Sequence, residues 1–120
     1  MAFADTITIT INSVAKTLTR INQDGYSSEY FLRGSTDEFR LKIRNSSYVS
    51  KTTGKTVDRH NVEFTQVVYA TSTVPQINRK AYAVLENERN DGVTDPLNFD
   101  LGYVAFFTSA NITKLLNYES

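Results

Sequence analysis

From Thr6 to Ile11 threonine and isoleucine alternate without a break, which puts Ile7, Ile9 and Ile11 on one side and Thr6, Thr8 and Thr10 on the other. Period-two alternation in β-branched residues suits a pleated strand with two unlike faces and little else. The pattern recurs along most of the chain. Residues 5–11 and 16–21, joined by a turn at Asn12-Ser13, read as an N-terminal hairpin. Residues 27–33 set Tyr30 and Leu32 against Glu29, Phe31 and Arg33, and residues 38–44 set Phe39, Leu41 and Ile43 against Arg40, Lys42 and Arg44. Over residues 58–70, His60, Val62, Phe64 and Val68 share one face, and Asn61, Glu63, Thr65, Val67 and Tyr69 the other. A last strand spans about residues 79–88. Residues 45–56, rich in Ser and Thr, read as a long loop, and residues 72–78 around Pro75 as another.

After Asn90-Asp91-Gly92 the period changes. Asp95-Pro96 reads as a capping acid before a proline in the first helical turn, with a helix over residues 97–107. Ser109 is the expected cap of a second helix of about eight residues, with Ile112, Leu115 and Leu116 at i, i+3, i+4 spacing. So short a helix is marginal alone and has to be held by packing. The predicted class is α+β: strands first, then two C-terminal helices, in one domain over residues 1–120, divided into a hairpin (1–22), a sheet (26–89) and the helices (95–118).

Thirteen basic and thirteen acidic side chains cancel, so any nucleic-acid contact has to come from charge gathered on one face. The single histidine and the absence of cysteine exclude multi-histidine and thiolate metal sites, disulfides and a cysteine nucleophile. No phosphate-cradling glycine loop or nucleophile elbow appears, and no catalytic residue, metal or cofactor is expected. The lone His60, on the apolar face of its strand, reads as structural. No apolar run approaches the roughly 18 residues of a membrane span, and no signal peptide is expected.

Helices at the C-terminus can cover one sheet face, for which the Phe39/Leu41/Ile43 and Val62/Phe64/Val68 rows are suited. The other face then presents Arg40, Lys42, Arg44, Asn61, Glu63, Thr65 and Tyr82, a mixture of cations, amide, hydroxyl and aromatic groups that serves single-stranded RNA. The competing reading is a merely solvated strand face, and Glu63 and Glu86 on that side oppose phosphate. In the helices Phe99, Tyr103, Phe106, Phe107, Ile112, Leu115 and Leu116 spread around the surface instead of forming one stripe. Such helices are buried on several sides, which implies a homodimer, with a thick monomeric core as the alternative.

The opening Thr-Ile-Thr-Ile-Thr-Ile-Asn with Ala15-Lys16-Thr17-Leu18, then Phe39-Arg40-Leu41-Lys42-Ile43-Arg44, Arg59-His60-Asn61-Val62-Glu63-Phe64, Arg79-Lys80-Ala81-Tyr82 and the closing Ala110-Asn111-Ile112-Thr113-Lys114-Leu115-Leu116-Asn117 resemble, in order and spacing, the coat proteins of single-stranded RNA bacteriophages of the levivirus type. The resemblance covers essentially the whole chain. It implies an N-terminal hairpin, a five-stranded antiparallel sheet, and helices that interlock in a dimer with one continuous ten-stranded sheet. It further implies a T=3 icosahedral shell in the virion, assembled in the host bacterial cytoplasm, with genomic RNA against the inner sheet face. Arg40, Lys42, Arg44, Asn61, Glu63, Thr65 and Tyr82 fall on the RNA-facing strands by that resemblance. Lys42 and Arg44 replace small hydroxyl residues, and Glu63 a basic one, of relatives that grip an operator hairpin. This favours general RNA contact. A dimeric single-stranded RNA-binding regulator without a shell is the alternative; a pilus or adhesin subunit would need export.

Overall fold

The computed structural model describes residues 3–120, so Met1 and Ala2 of the expected hairpin region lie outside the described residues. Six strands, β1 (Thr6–Ile11), β2 (Val14–Gln23), β3 (Ser27–Arg33), β4 (Asp37–Val49), β5 (Thr56–Val68) and β6 (Ile77–Glu88), form one antiparallel meander in the order β1-β2-β3-β4-β5-β6. A single 3₁₀ turn (Arg89–Asp91) leads to α1 (Thr94–Val104) and α2 (Ser109–Leu116). The expected five-stranded sheet is therefore six-stranded. The N-terminal hairpin belongs to it, because β2 is long enough to pair with β1 on one side and with β3 on the other, through Thr19↔Phe31 and Arg20↔Tyr30.

The expected loop over residues 45–56 is also corrected. Asn45 to Val49 continue β4 and pair with Thr56 to His60, so only residues 50–55 turn. Backbone pairing does not depend on whether side chains are apolar, and a polar stretch stays in a ladder when its partner is in register. Ser50 N–H donates to Lys55 O (2.9 Å) and Gly54 N–H to Ser50 O (2.8 Å), with Gly54 at φ 72°. Asn12 and Ser13, at φ 50° and 65°, make the two-residue turn expected of a β1–β2 hairpin.

The core lies on one face of the sheet. Leu18, Tyr30, Phe39, Leu41 and Ile43 are buried there, flanked by Ile7, Ile9, Leu32, Val62 and Phe64. The Phe39 and Phe64 rings stack with centroids 5.9 Å apart. Ile21 is an extra residue in β2 that shifts the register between Arg20 and Asn22, and such bulges increase local twist and bend the strand. The sheet curls, and Leu18 and Tyr30 lose all exposure within a single layer. The Tyr30 hydroxyl donates to Ala4 O (2.7 Å), so its polar atom is satisfied where the ring is buried.

The helices do not complete this core. Neither buries any residue, and neither packs broadly on the sheet, so the expectation that a chain's own helices cover its apolar face is overturned. The radius of gyration is 17.3 Å, against about 13.6 Å for a compact domain of this length. Both expected caps shift by a residue or two. Helix α1 starts at Thr94 after Val93, with no side-chain cap, which places Asp95 inside the first turn. Pro96 is tolerated there because N–H groups of the first turn have no intrahelical acceptor. Thr108, not Ser109, caps α2, its hydroxyl accepting from Asn111 N–H (3.2 Å).

Candidate nucleic-acid interface

The polar face is built by strand parity. Alternate residues of β4 place Arg40, Lys42 and Arg44 together, and the β4–β5 register sets them opposite Thr65, Glu63 and Asn61. The β5–β6 register then adds Lys80 opposite Thr65, Tyr82 opposite Glu63 and Val84 opposite Asn61. All seven residues expected from sequence share this face. Parity also brings Phe31, Arg59, Lys80 and Tyr48 to it. Arg59 and Lys80 were legible from the same alternation, whereas Tyr48 was hidden by the reading of its segment as a loop.

The cations are not equivalent. The Arg40 guanidinium is ion-paired with Glu29 and lies 4.7 Å from the Phe31 ring centroid. Lys80 Nζ lies 3.2 Å from a Glu63 carboxylate oxygen and 5.8 Å from the Tyr82 ring. Arg59 reaches Glu86 at 3.6 Å, and the Tyr48 hydroxyl donates to the same carboxylate (3.3 Å). Lys42 and Arg44 form no ion pair among the described residues. They line an open polar depression of about 200 Å³ with Asn22, Ser27, Ser28 and Glu29. Beside it, Arg44, Arg59, Asn61 and Tyr26 border a wider hollow of about 660 Å³. The Asn61 side-chain oxygen is buried there without a donor, an acceptor left unused by the fold.

The hollow's rim is set by Asp24. Its carboxylate accepts from Tyr26 N–H (2.9 Å), Ser27 N–H (2.8 Å) and the Ser27 hydroxyl (2.8 Å). Those bonds, the Tyr26 N–H first, hold its pKa below the usual carboxylate value. On the apolar face, His60 Nδ1 lies 2.7 Å from Asn45 Oδ1, and Asp58 binds the Arg89 guanidinium at 2.8 and 3.1 Å.

The other expected set, Phe99, Tyr103, Phe106, Phe107, Ile112, Leu115 and Leu116, stays exposed throughout. Around the α1–α2 junction Phe107 meets Tyr103 and Phe106 edge-on, with centroids 5.3 and 5.5 Å apart. Soluble monomers rarely present so large a contiguous apolar surface.

A family model described as "Phage phiCb5, coat protein" matches residues 4–88, well over half of the chain. The chain belongs to the phage phiCb5 coat protein family. The match runs from just before β1 to the last residue of β6, so it takes in the whole sheet and stops short of the helices. No curated protein matches the chain. A phage coat protein is a structural subunit of the virion capsid that assembles with copies of itself, and it is not an enzyme. The alternative of a shell-free regulator gives way to this identification.

Proposed function

We propose that this coat protein serves a single-stranded RNA phage of the levivirus type. In this reading it acts as a dimer with interlocked helices, builds a T=3 icosahedral shell in the host cytoplasm, and turns its polar sheet face toward genomic RNA. The observation that carries the dimer is the unfilled surface. The chain exposes 9219 Å², whereas a compact monomer of its mass exposes about 6,600 Å². An excess of roughly 2,600 Å² per subunit, or about 5,000 Å² for a pair, matches the burial of obligate dimers. The apolar face keeps a strip to receive the partner's helices, where half-buried Val62 and Phe64 adjoin the small, exposed Ala81 and Ala83.

The RNA role falls mainly to Lys42 and Arg44, the cations without an internal carboxylate, with Tyr82 (68% exposed) as a stacking surface and Asn61 as an acceptor. Arg40 and Lys80 are already compensated by Glu29 and Glu63, which supports general packaging over recognition of an operator pocket. Electron microscopy of recombinant protein is expected to show RNA-filled shells; protein that stays a monomer or lone dimer at all concentrations refutes the assembly. Substituting Arg40, Lys42 and Arg44 by Ser is expected to lower packaged RNA. Most of the fall in salt slope, about 0.7 per phosphate contact for single strands, should come from Lys42 and Arg44. Unchanged RNA content in intact shells refutes the assignment.

A further inference from the structure

A glycine follows an aspartate or asparagine at two places in the chain, Asp24-Gly25 and Asp91-Gly92. Such pairs share one intrinsic chemistry. Glycine bears no side chain to shield its backbone nitrogen, and that nitrogen can attack the side-chain carboxyl carbon of the preceding aspartate, closing a five-membered ring. The fold treats the two pairs very differently.

At Asp24 both carboxylate oxygens are occupied. Oδ1 accepts from Tyr26 N–H and Ser27 N–H, and Oδ2 from the Ser27 hydroxyl. Ring closure needs a neutral acid with Cγ turned toward the next nitrogen. These bonds keep the carboxylate charged and aimed at residues beyond Gly25. Asp91 has no such restraint. It ends the exposed 3₁₀ turn Arg89–Asp91, and its carboxylate makes no hydrogen bond or ion pair among the described residues. The Gly92 N–H has no acceptor among them either. A side chain at Gly92 would meet no atom within 4 Å, so nothing crowds the attack. A single 3₁₀ turn at the surface opens at little cost, which releases Asp91 into the attacking geometry. The glycine itself is required, because φ 78° with ψ −155° is a region that glycine alone occupies readily.

We infer that Asp91-Gly92 is a spontaneous isomerisation site of the folded subunit, and that its conversion to isoaspartate retires the subunit from assembly. The Gly92 nitrogen bonds to Asp91 Cγ and gives up its proton, the Cγ–OH bond breaks, and one water leaves. Water then adds to the succinimide. Where it adds at the former backbone carbonyl, the bond from that carbon to the Gly92 nitrogen breaks. The chain then runs through Cβ and Cγ and leaves an α-carboxylate. No electrons are exchanged and the composition is unchanged, but the backbone is longer by one carbon, about 1.5 Å. The position makes this matter. Arg89, two residues earlier, is fixed to Asp58 through its guanidinium. The displacement therefore passes forward to α1 and α2, which no broad packing on the sheet restrains. The effect on assembly rests on the dimer proposed above, in which those helices interlock; the site itself does not.

The test ages the full-length, unassembled protein in warm neutral buffer and maps its peptides by electron-transfer dissociation, which separates isoaspartate from aspartate at equal mass. Isoaspartate at position 91 is expected to exceed that at position 24 by at least about tenfold, the factor that one hydrogen bond to a charged group supplies. In concentrated urea the ratio should fall toward one. Equal conversion in the folded protein, or an excess at position 24, overturns the site. A ratio that persists in urea overturns its assignment to the fold. Aged protein is then reassembled with RNA, and isoaspartate at position 91 is expected to be depleted in shells and enriched in the unassembled fraction. Equal content in both fractions overturns the retirement. The D91E variant, which would have to close a six-membered ring, is expected to assemble as well after ageing as before; a loss equal to that of wild type overturns the link. Fresh wild-type protein that forms neither dimers nor shells refutes the underlying reading instead, and the peptide map still judges the site.

Discussion

Replacing Leu115 and Leu116 together by Ala separates the proposed dimer from the fold of the subunit. Both side chains are solvent-exposed in the single chain, at 51% and 76%. Ala is the better helix former, so α2 itself is not weakened. The loss should appear only where a partner covers these residues. Fully burying a leucine contributes about 1.5–3 kcal/mol, and its truncation to Ala forfeits most of that. Scaled by the exposed fractions, the pair gives about 2.5 kcal/mol per subunit and about 5 kcal/mol per dimer. That is between three and four powers of ten in the dimer dissociation constant. Sedimentation velocity over a concentration series reads the shift, and circular dichroism checks that the sheet is intact. A dissociation constant within about tenfold of wild type, with assembly unchanged, refutes the reasoning.

Leu18→Ala is expected to lower unfolding free energy by about 2–5 kcal/mol in chemical denaturation, because Leu18 is fully buried where the sheet curls. Tyr30→Phe should cost about 1 kcal/mol by the same assay through loss of the bond to Ala4 O. Gly54→Val should cost about 1–2 kcal/mol, since φ 72° suits glycine and strains a β-branched residue. The Asp24 pKa is lowered in the fold, so its stabilisation is present above the unfolded carboxylate pKa and is lost as pH falls through the folded value. Asp24→Asn should therefore flatten the acid limb of the stability–pH profile below about pH 4; an unaltered limb refutes the link.

The strand content was largely legible because strict alternation survives wherever one face is apolar. Tyr30 and Leu32 against Phe31 and Arg33, and Phe39, Leu41 and Ile43 against Arg40, Lys42 and Arg44, lie as their parity predicts. Asn45 to Val49 escaped because a strand exposed on both faces has no hydrophobic period to read. Thr108 caps α2 in place of Ser109 because the two neighbouring hydroxyls are both chemically competent and local geometry selects one, whereas α1 starts after Val93 with no side-chain cap, so no capping residue marks its start. The unequal standing of Arg40, Lys42 and Arg44 was also invisible. It depends on Glu29 being carried alongside Arg40 by the β3–β4 pairing.

By itself the sequence determined the two-faced strands, the switch to helices after Gly92, and the separation of Arg40, Lys42 and Arg44 from the Phe39/Leu41/Ile43 row, because each follows from periodicity within a few residues. Tertiary structure decided that the N-terminal hairpin joins the sheet, that the curl buries Leu18 and Tyr30, and that the helices leave their own sheet uncovered. Those outcomes depend on register and on contacts between residues distant in the chain, where alternation says which side a residue faces but not what lies across from it.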